Sequence, residues 1–357
     1  MLTATLGEHL DFHAGSGAPV RVPDGPFPVY GANGAIGFTA RPNARGPLIV
    51  LGRVGSHCGS LHYCETDVWV TDNALACRAK QPAETRYWYY ALQTCRLNEY
   101  RAGSGQPLLN QAILRDVSVR TVPEGQRQRI AELLGAFDDK IAANRRVIAA
   151  AEQLMVALVE TVTDRVPLSR LAEHRTALRD PGQFDDVVAH FSLPAFDDGA
   201  TPRLVRRSAV RSGKFVLSRP CVLFAKLNPR IPRIWNVTRL PTEMAVASPE
   251  FVVLTPIAVG TSALWAALRQ RDVVDGLQQQ VGGTSGSHQR IRRDDLMTVA
   301  VRDVRQLTGR MTRTLAGLGA LCHLRRNESV RLSALRDAVL PSLISGDVRV
   351  RRGRSPG

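Results

Sequence analysis

The sequence predicts an α+β fold: two β-rich modules in a pseudo-two-fold arrangement, joined by two long antiparallel coiled-coil-like helices. Three observations carry that prediction. A heptad seam runs through Ile130, Leu134, Phe137, Ile141, Asn144, Ile148, Ala151, Met155 and Leu158, the spacing that keeps one apolar stripe facing a partner helix. The same plan returns 181 residues on, from Ile130 to Met311, where Met311, Leu315, Leu318, Cys322, Arg325, Ser329, Leu332, Arg336 and Val339 stand on a poorer, mostly apolar seam. The offset also carries Ser104-Gly105 onto Ser285-Gly286. Upstream of each helix lies a long stretch of short apolar runs punctuated by Gly and Pro, the texture of strands and turns.

Taken in order, residues 1–120 hold short strands such as Pro47–Leu51 and Val68–Val70, and one short helix at 86–98. Pro123 and Glu124 open the first long helix, a proline at the boundary and an acid in the first turn. It is expected to run to about Val162, before Pro167, and from Ile130 to Leu158 it would span about 42 Å at 1.5 Å per residue. Residues 168–300 repeat the β-rich texture, with a short helix near Ser262–Val274. A second long helix is expected from about Arg305 to Ala338, stopping short of Pro341, with its seam at Leu318, Leu332, Leu335 and Val339. Asn144 occupies a seam position, where a polar residue fixes register at a cost in stability. Gly309, Gly317 and Gly319 weaken the second helix by up to about 1 kcal/mol each relative to Ala. The implied organisation is module one at 1–122, helix one at 123–163, module two at 164–303, helix two at 304–345 and a basic tail at 346–357.

At 357 residues the chain can hold two domains with their own cores. No apolar run approaches the length of a membrane span, and no basic-then-apolar leader opens the sequence. Its six cysteines lack framework spacing, so a reduced cytoplasm is the expected setting. The tight pairs His57-Cys58 and His62/Cys64 have no second set at zinc-finger spacing; they are read as parts of a β-rich core, and no metal is expected. The net charge of +15 is uneven. Residues 1–167 carry 17 Lys/Arg and 16 Asp/Glu, a net of +1, and residues 168–357 carry 30 and 16, a net of +14. Such a balance is the footprint of a polyanionic partner.

No catalytic set is legible. Gly213-Lys214 is followed by Phe215, so there is no phosphate-binding GxxxxGK[ST], and no GxGxxG is present. Gly31, Gly34 and Gly37 come at spacing three, which suits tight turns. Asn228-Pro229 is followed by Arg230 and Ile231 and lacks the second proline and the aromatic of amino-methyltransferases, so it reads as a turn. What the loops hold instead is hydrogen-bonding side chains interleaved with glycine. In module one these are Asn33, Arg53, Ser56, His57, Asn73, Ser104 and Gln106; in module two, Lys226, Asn228, Arg230, Ser285, Ser287, His288, Gln289 and Arg290. Arg reads guanine bidentately, Asn and Gln read adenine, and Ser holds phosphate. Taken singly, such residues more often cap turns or face water; their concentration in GRVGSHCGS and GGTSGSHQR makes them candidates for DNA binding.

These segments carry a family resemblance. YGANGAIGF, PLIVLGRVGSHCGSLHY and VWVTDNALAC resemble the target-recognition domains of specificity (S) subunits of Type I restriction–modification enzymes. GSGQPLLNQAILRDVSV followed by EGQRQRIAELLGAFDDKI is similar to that family's passage into its spacer helix. LFAKLNPRIPRIW, ASPEFVVL and GTSGSHQRI resemble a second class of these domains, and LSALRDAVLPSLISGDVRV resembles the family's C-terminal end. The junction VRDVRQLTGRMTRTL lacks counterparts of Pro123 and Gln126, which leaves the start of helix two open. The resemblance implies a non-catalytic reader of a bipartite double-stranded DNA target, each module reading one half and the helices setting the gap. It implies two modification (adenine-N6 methyltransferase) subunits and two restriction/translocase subunits as partners. S-adenosylmethionine, ATP and Mg would be bound by those partners, and no cofactor by this chain. The alternative is an orphan specificity-like adaptor serving methylation alone or another phage-defence assembly.

Overall fold

A computed structural model describes residues 2–101, 108–174, 176–228, 231–281 and 290–350. The chain divides into two compact units, Met1–Asp139 with Leu332–Gly357, and Lys140–Arg331. The division passes through both long helices, Glu124–Glu160 and Gly309–Ser345.

In the first unit an antiparallel pair, Leu2–Thr5 against Ser118–Thr121, brings the two ends of the module together. Between them lies a four-stranded sheet in the order Leu10–Ala14, Ala74–Ala79, Leu48–Gly52, Leu61–Cys64. Every residue of Leu48–Gly52 is buried, as a central strand covered on both faces requires. A second sheet of three strands sets Phe27–Gly31 between Gly34–Thr39 and, in parallel, Trp69–Val70. The helix expected at 86–98 is shorter: it spans Thr85–Gln93, and Arg96 in the left-handed region (φ 45°) separates it from a 3-10 turn at Leu97–Tyr100. It supplies the buried Tyr87, Trp88 and Tyr90, which pack with Ile130, Ala131 and Leu134 of the first long helix and Leu340, Leu343 and Ile344 of the second.

The second unit repeats the plan. Arg165–Pro167 pairs with Ala300–Arg302, and a four-stranded sheet follows the same order: Ala172–Glu173, Phe251–Pro256, Cys221–Ala225, Ile234–Val237. Its additional sheet has five strands, Ala177–Arg179, Lys214–Leu217, Met244–Ala247, Val187–Phe191 and Arg203–Arg206. The single helix expected near 262–274 is two, Thr261–Leu268 and Arg271–Val281. They part at the buried Gln270, whose carbonyl accepts from Val273 and Val274 and whose amide donates to Val156 O at 3.0 Å and Ala266 O at 3.1 Å.

The first long helix lies close to where its proline and heptads place it. The second differs at both ends. It begins at Gly309, because Thr308 caps it: Thr308 Oγ1 accepts from Met311 N at 3.3 Å and Thr308 O from Thr312 N at 2.9 Å. It then passes through Pro341 to Ser345, where Gly346 (φ 81°) turns the chain. A helix-interior proline costs about 3 kcal/mol. Burial of Leu340, Leu343 and Ile344, at about 1.5–3 kcal/mol each, outweighs it.

Within the second unit the helices run antiparallel: Asn144 Nδ2 donates to Ser329 Oγ at 3.2 Å and Arg325 O at 3.5 Å, and further along Cys322 meets Ile148 and Arg326 meets Glu152. Asn144 is 1% exposed. Ile141 is buried, and Ile148 and Leu318 pack against the core. In the first unit Ile130 and Leu134 are buried, Phe137 is half-buried, and Asp138 pairs with Arg336. Two expected seam residues are on the outside: Leu335 is 55% and Val339 37% exposed. There the inward row steps by four, through Leu332, Arg336 and Leu340 to Ile344, because the helix is packing on a globular core whose demands differ from those of a coiled-coil seam.

Candidate nucleic-acid interface

In each unit the candidate residues gather where the buried central strand of the four-stranded sheet emerges. In the first, Leu48–Gly52 leads into Arg53, whose N–H donates to Asn73 O at 3.1 Å and whose carbonyl accepts from Leu109 N at 3.0 Å, while Val54 bridges Leu108. Asn73 immediately precedes the neighbouring strand Ala74–Ala79. The chain then closes a tight turn: Gly55 (φ 66°) and Gly59 (φ 90°) take the left-handed conformations a side chain would resist. Gly59 N donates to Gly52 O at 2.8 Å, and Cys58 Sγ to Arg53 O at 3.3 Å. Ser56 and His57 stand exposed on that turn. Ser60 Oγ donates to Ala32 O at 2.5 Å, tying the turn to the Ala32-Asn33 hairpin tip, where Asn33 is exposed. An open cleft of about 560 Å³ beside it is lined by Ser56, His57, Gln93, Arg96 and Asn98 among others.

The second unit builds the same corner with other side chains. Cys221–Ala225 leads into Lys226, whose N–H donates to Glu250 O at 2.8 Å and whose carbonyl accepts from Ile291 N at 2.9 Å, while Leu227 bridges Arg290. Glu250 immediately precedes Phe251–Pro256. Position by position, Arg53, Asn73 and Leu108 of one corner correspond to Lys226, Glu250 and Arg290 of the other. Lys226 Nζ donates to Pro249 O at 2.7 Å; burial holds its pKa below the ordinary lysine value, with Glu250 opposing and Arg290 and Arg293 adding to the effect. Arg290 Nη2 donates to Glu250 Oε1 at 3.2 Å. Asn228 is exposed in the left-handed region (φ 50°), and its carbonyl accepts from Ile231 N at 3.0 Å.

The structure thus brings together Asn33, Arg53, Ser56, His57 and Asn73 in one unit, and Lys226, Asn228 and Arg290 in the other. Ser104, Gln106, Arg230, Ser285, Ser287, His288 and Gln289 lie outside the described residues; their neighbours Leu108 and Arg290 belong to these corners. Glu250 was not singled out in the sequence, since a lone Glu in ASPEF carries no motif. Among the described residues no three His, Cys, Asp or Glu side chains stand together as a metal site, and no helix is long and apolar enough to cross a membrane. Cys64 and Cys77 are buried thiols, Cys64 pushed up to about 11 by burial.

Two corners of one backbone design thus carry different polar side chains on a repeated frame. Residues 23–153 match the family model of the Type I restriction modification DNA specificity domain. Over 113 residues the chain is 27% identical to the Type I restriction enzyme EcoprrI specificity subunit of Escherichia coli, a stretch covering 31% of this chain. It spans about 28% of that relative's length. The crystal structure of the Type-I restriction-modification system S subunit from M. genitalium is similar in fold, with a TM-score of 0.59 at 12% identity over 96% of each chain. Residues 23–153 are thus similar to the Type I restriction modification DNA specificity domain, and the fold of the chain is similar to that of an S subunit.

Proposed function

We propose that this chain is the non-catalytic DNA-recognising subunit of a Type I restriction–modification complex, in which the modules at 1–122 and 164–303 each read one half of a bipartite double-stranded target. The observation that carries this reading is the repeated corner. One arrangement of backbone hydrogen bonds presents Arg53 and Asn73 in one unit and Lys226, Glu250 and Arg290 in the other. A repeated frame with unlike side chains is what an asymmetric, two-part sequence requires of its reader. The family match and the net charge of +15 support it.

Chemistry on DNA then falls to partners: adenine-N6 methyltransferase subunits holding S-adenosylmethionine, and restriction/translocase subunits using ATP and Mg. The long helices at 123–163 and 304–345 are assigned to spacing and to partner contact. The test is equilibrium selection from a pool of randomised duplexes by the purified full-length chain. Two short specified blocks around a constant unread gap are expected. Enrichment of a single block, or of none, would overturn the reading.

A further inference from the structure

We infer that Glu250 is a positioning residue for base readout, holding the Arg290 guanidinium as the specificity determinant of the second module; this rests on the reading of the chain as a DNA-recognising subunit. Glu250 is fixed from three sides. Its carbonyl accepts from Lys226 N at 2.8 Å, its N–H donates to Ser248 Oγ at 3.3 Å, and its Oε1 accepts from Arg290 Nη2 at 3.2 Å. Its other carboxylate oxygen is enclosed and has no hydrogen-bond partner among the described residues. Such an oxygen is costly to keep, and the frame does not need a carboxylate: Asn73 makes the same backbone bond to Arg53 in the first unit. What Glu250 adds over Asn73 is a negative charge directed at Arg290, where the first unit has the apolar Leu108.

Arg290 itself is suited to reading. Its side chain is 58% exposed, it stands at the bridge to Leu227 where the corner opens to solvent, and its backbone is pinned there through Ile291. A guanidinium has five donors in a rigid fork, and the bond to Glu250 engages one of them. Anchored on one side, the fork is pre-organised to meet the O6 and N7 acceptors of guanine. A free arginine on the same surface would instead wander among phosphates, contributing affinity without sequence information. The Glu250–Arg290 pair therefore assigns a G·C base pair to this corner.

The experiment is the same selection from randomised duplexes, run with the full-length wild type and with Glu250→Ala, Glu250→Gln and Arg290→Lys, each checked for an unchanged melting temperature. Glu250→Ala and Arg290→Lys are expected to lose about tenfold or more of the preference for guanine at one and the same base pair. The other specified positions and the affinity for non-target DNA should hold. Glu250→Gln, which keeps an acceptor, is expected to lose less at that position, and it carries the test if Glu250→Ala fails to fold. An unchanged motif in the Glu250 variants, or an equal loss of binding to all sequences, overturns the assignment while leaving DNA recognition standing. A wild type that enriches no sequence overturns both.

Discussion

At the scale of single residues, the first module is secured by a buried ion pair. Arg127 donates through Nη1 to Glu84 Oε2 at 2.9 Å and through Nε to Val122 O at 3.0 Å, both side chains below a tenth exposed. Trp88 Nε1 donates to the same carboxylate oxygen at 3.0 Å, and the guanidinium lies 5.1 Å from the Trp88 ring centroid. Removing one partner strands the other charge in the core. Arg127→Ala is therefore expected to cost about 3–5 kcal/mol of stability in chemical denaturation, with Glu84→Gln/Arg127→Met costing less than the two single losses added. Four histidines give a pH prediction. Burial lowers the pKa of His9, His62, His190 and His323, with Arg127 adding to the effect at His9 and Lys214 at His190. Each binds a proton less readily folded than unfolded, so its contribution is complete above the ordinary value of 6.5 and is lost as pH falls through that value toward the lower folded one. The melting temperature should drop between about pH 7.5 and pH 5.5; a flat profile would contradict this. Sequence showed Arg53, Asn73, Lys226 and Arg290 as candidates because arginine, lysine and asparagine in loop segments can hydrogen-bond bases, Arg53 and Arg290 standing in glycine-rich runs. It could not show Glu84 or Glu250, whose meaning comes from partners dozens of residues away.

At the scale of elements, the second long helix shows what a pattern can and cannot carry. Its glycines read alike in sequence, as defects, yet they differ in the folded chain. A Cβ at Gly317 would meet nothing within 4 Å, whereas one at Gly319 would collide with Ser262 Oγ and stand 3.1 Å from Thr238 Cγ2. Gly317→Ala should therefore stabilise the protein by up to about 1 kcal/mol, while Gly319→Ala should destabilise it by about 1–3 kcal/mol. Denaturant midpoints of the two variants check this, and equal shifts of the same sign would refute it. Gly135 in the first helix plays the same part, since a Cβ there would stand 2.6 Å from Arg86 Cζ. The first helix was legible because its proline, acid and heptads agree. The second was misread at its C-terminus because Pro341 signals a stop that the burial of Leu343 and Ile344 overrides, and at Leu335 and Val339 because a heptad written from sequence assumes a coiled-coil partner throughout.

At the scale of the whole molecule, the duplication was visible in sequence as an offset, and the matching sheet orders bear it out at the level of topology. The sequence could not reveal that the corresponding corners share their backbone hydrogen bonds, because Arg53 and Lys226 sit 173 residues apart while the helix seams repeat at 181. Loops of unequal length between equivalent strands hide that equivalence. With a net charge of +15, affinity for non-target duplex should fall steeply with salt, by about a thousandfold between 50 and 200 mM if some six phosphates are neutralised. A salt-independent affinity would contradict a phosphate-tracking surface. The most direct test of the central claim is the methylome of cells expressing this chain together with a modification subunit that associates with it, compared with cells expressing that subunit alone. The account predicts N6-methyladenine at one split motif, two short specified halves around a fixed gap, only when this chain is present. No new methylation, with both proteins expressed and associated, would contradict it.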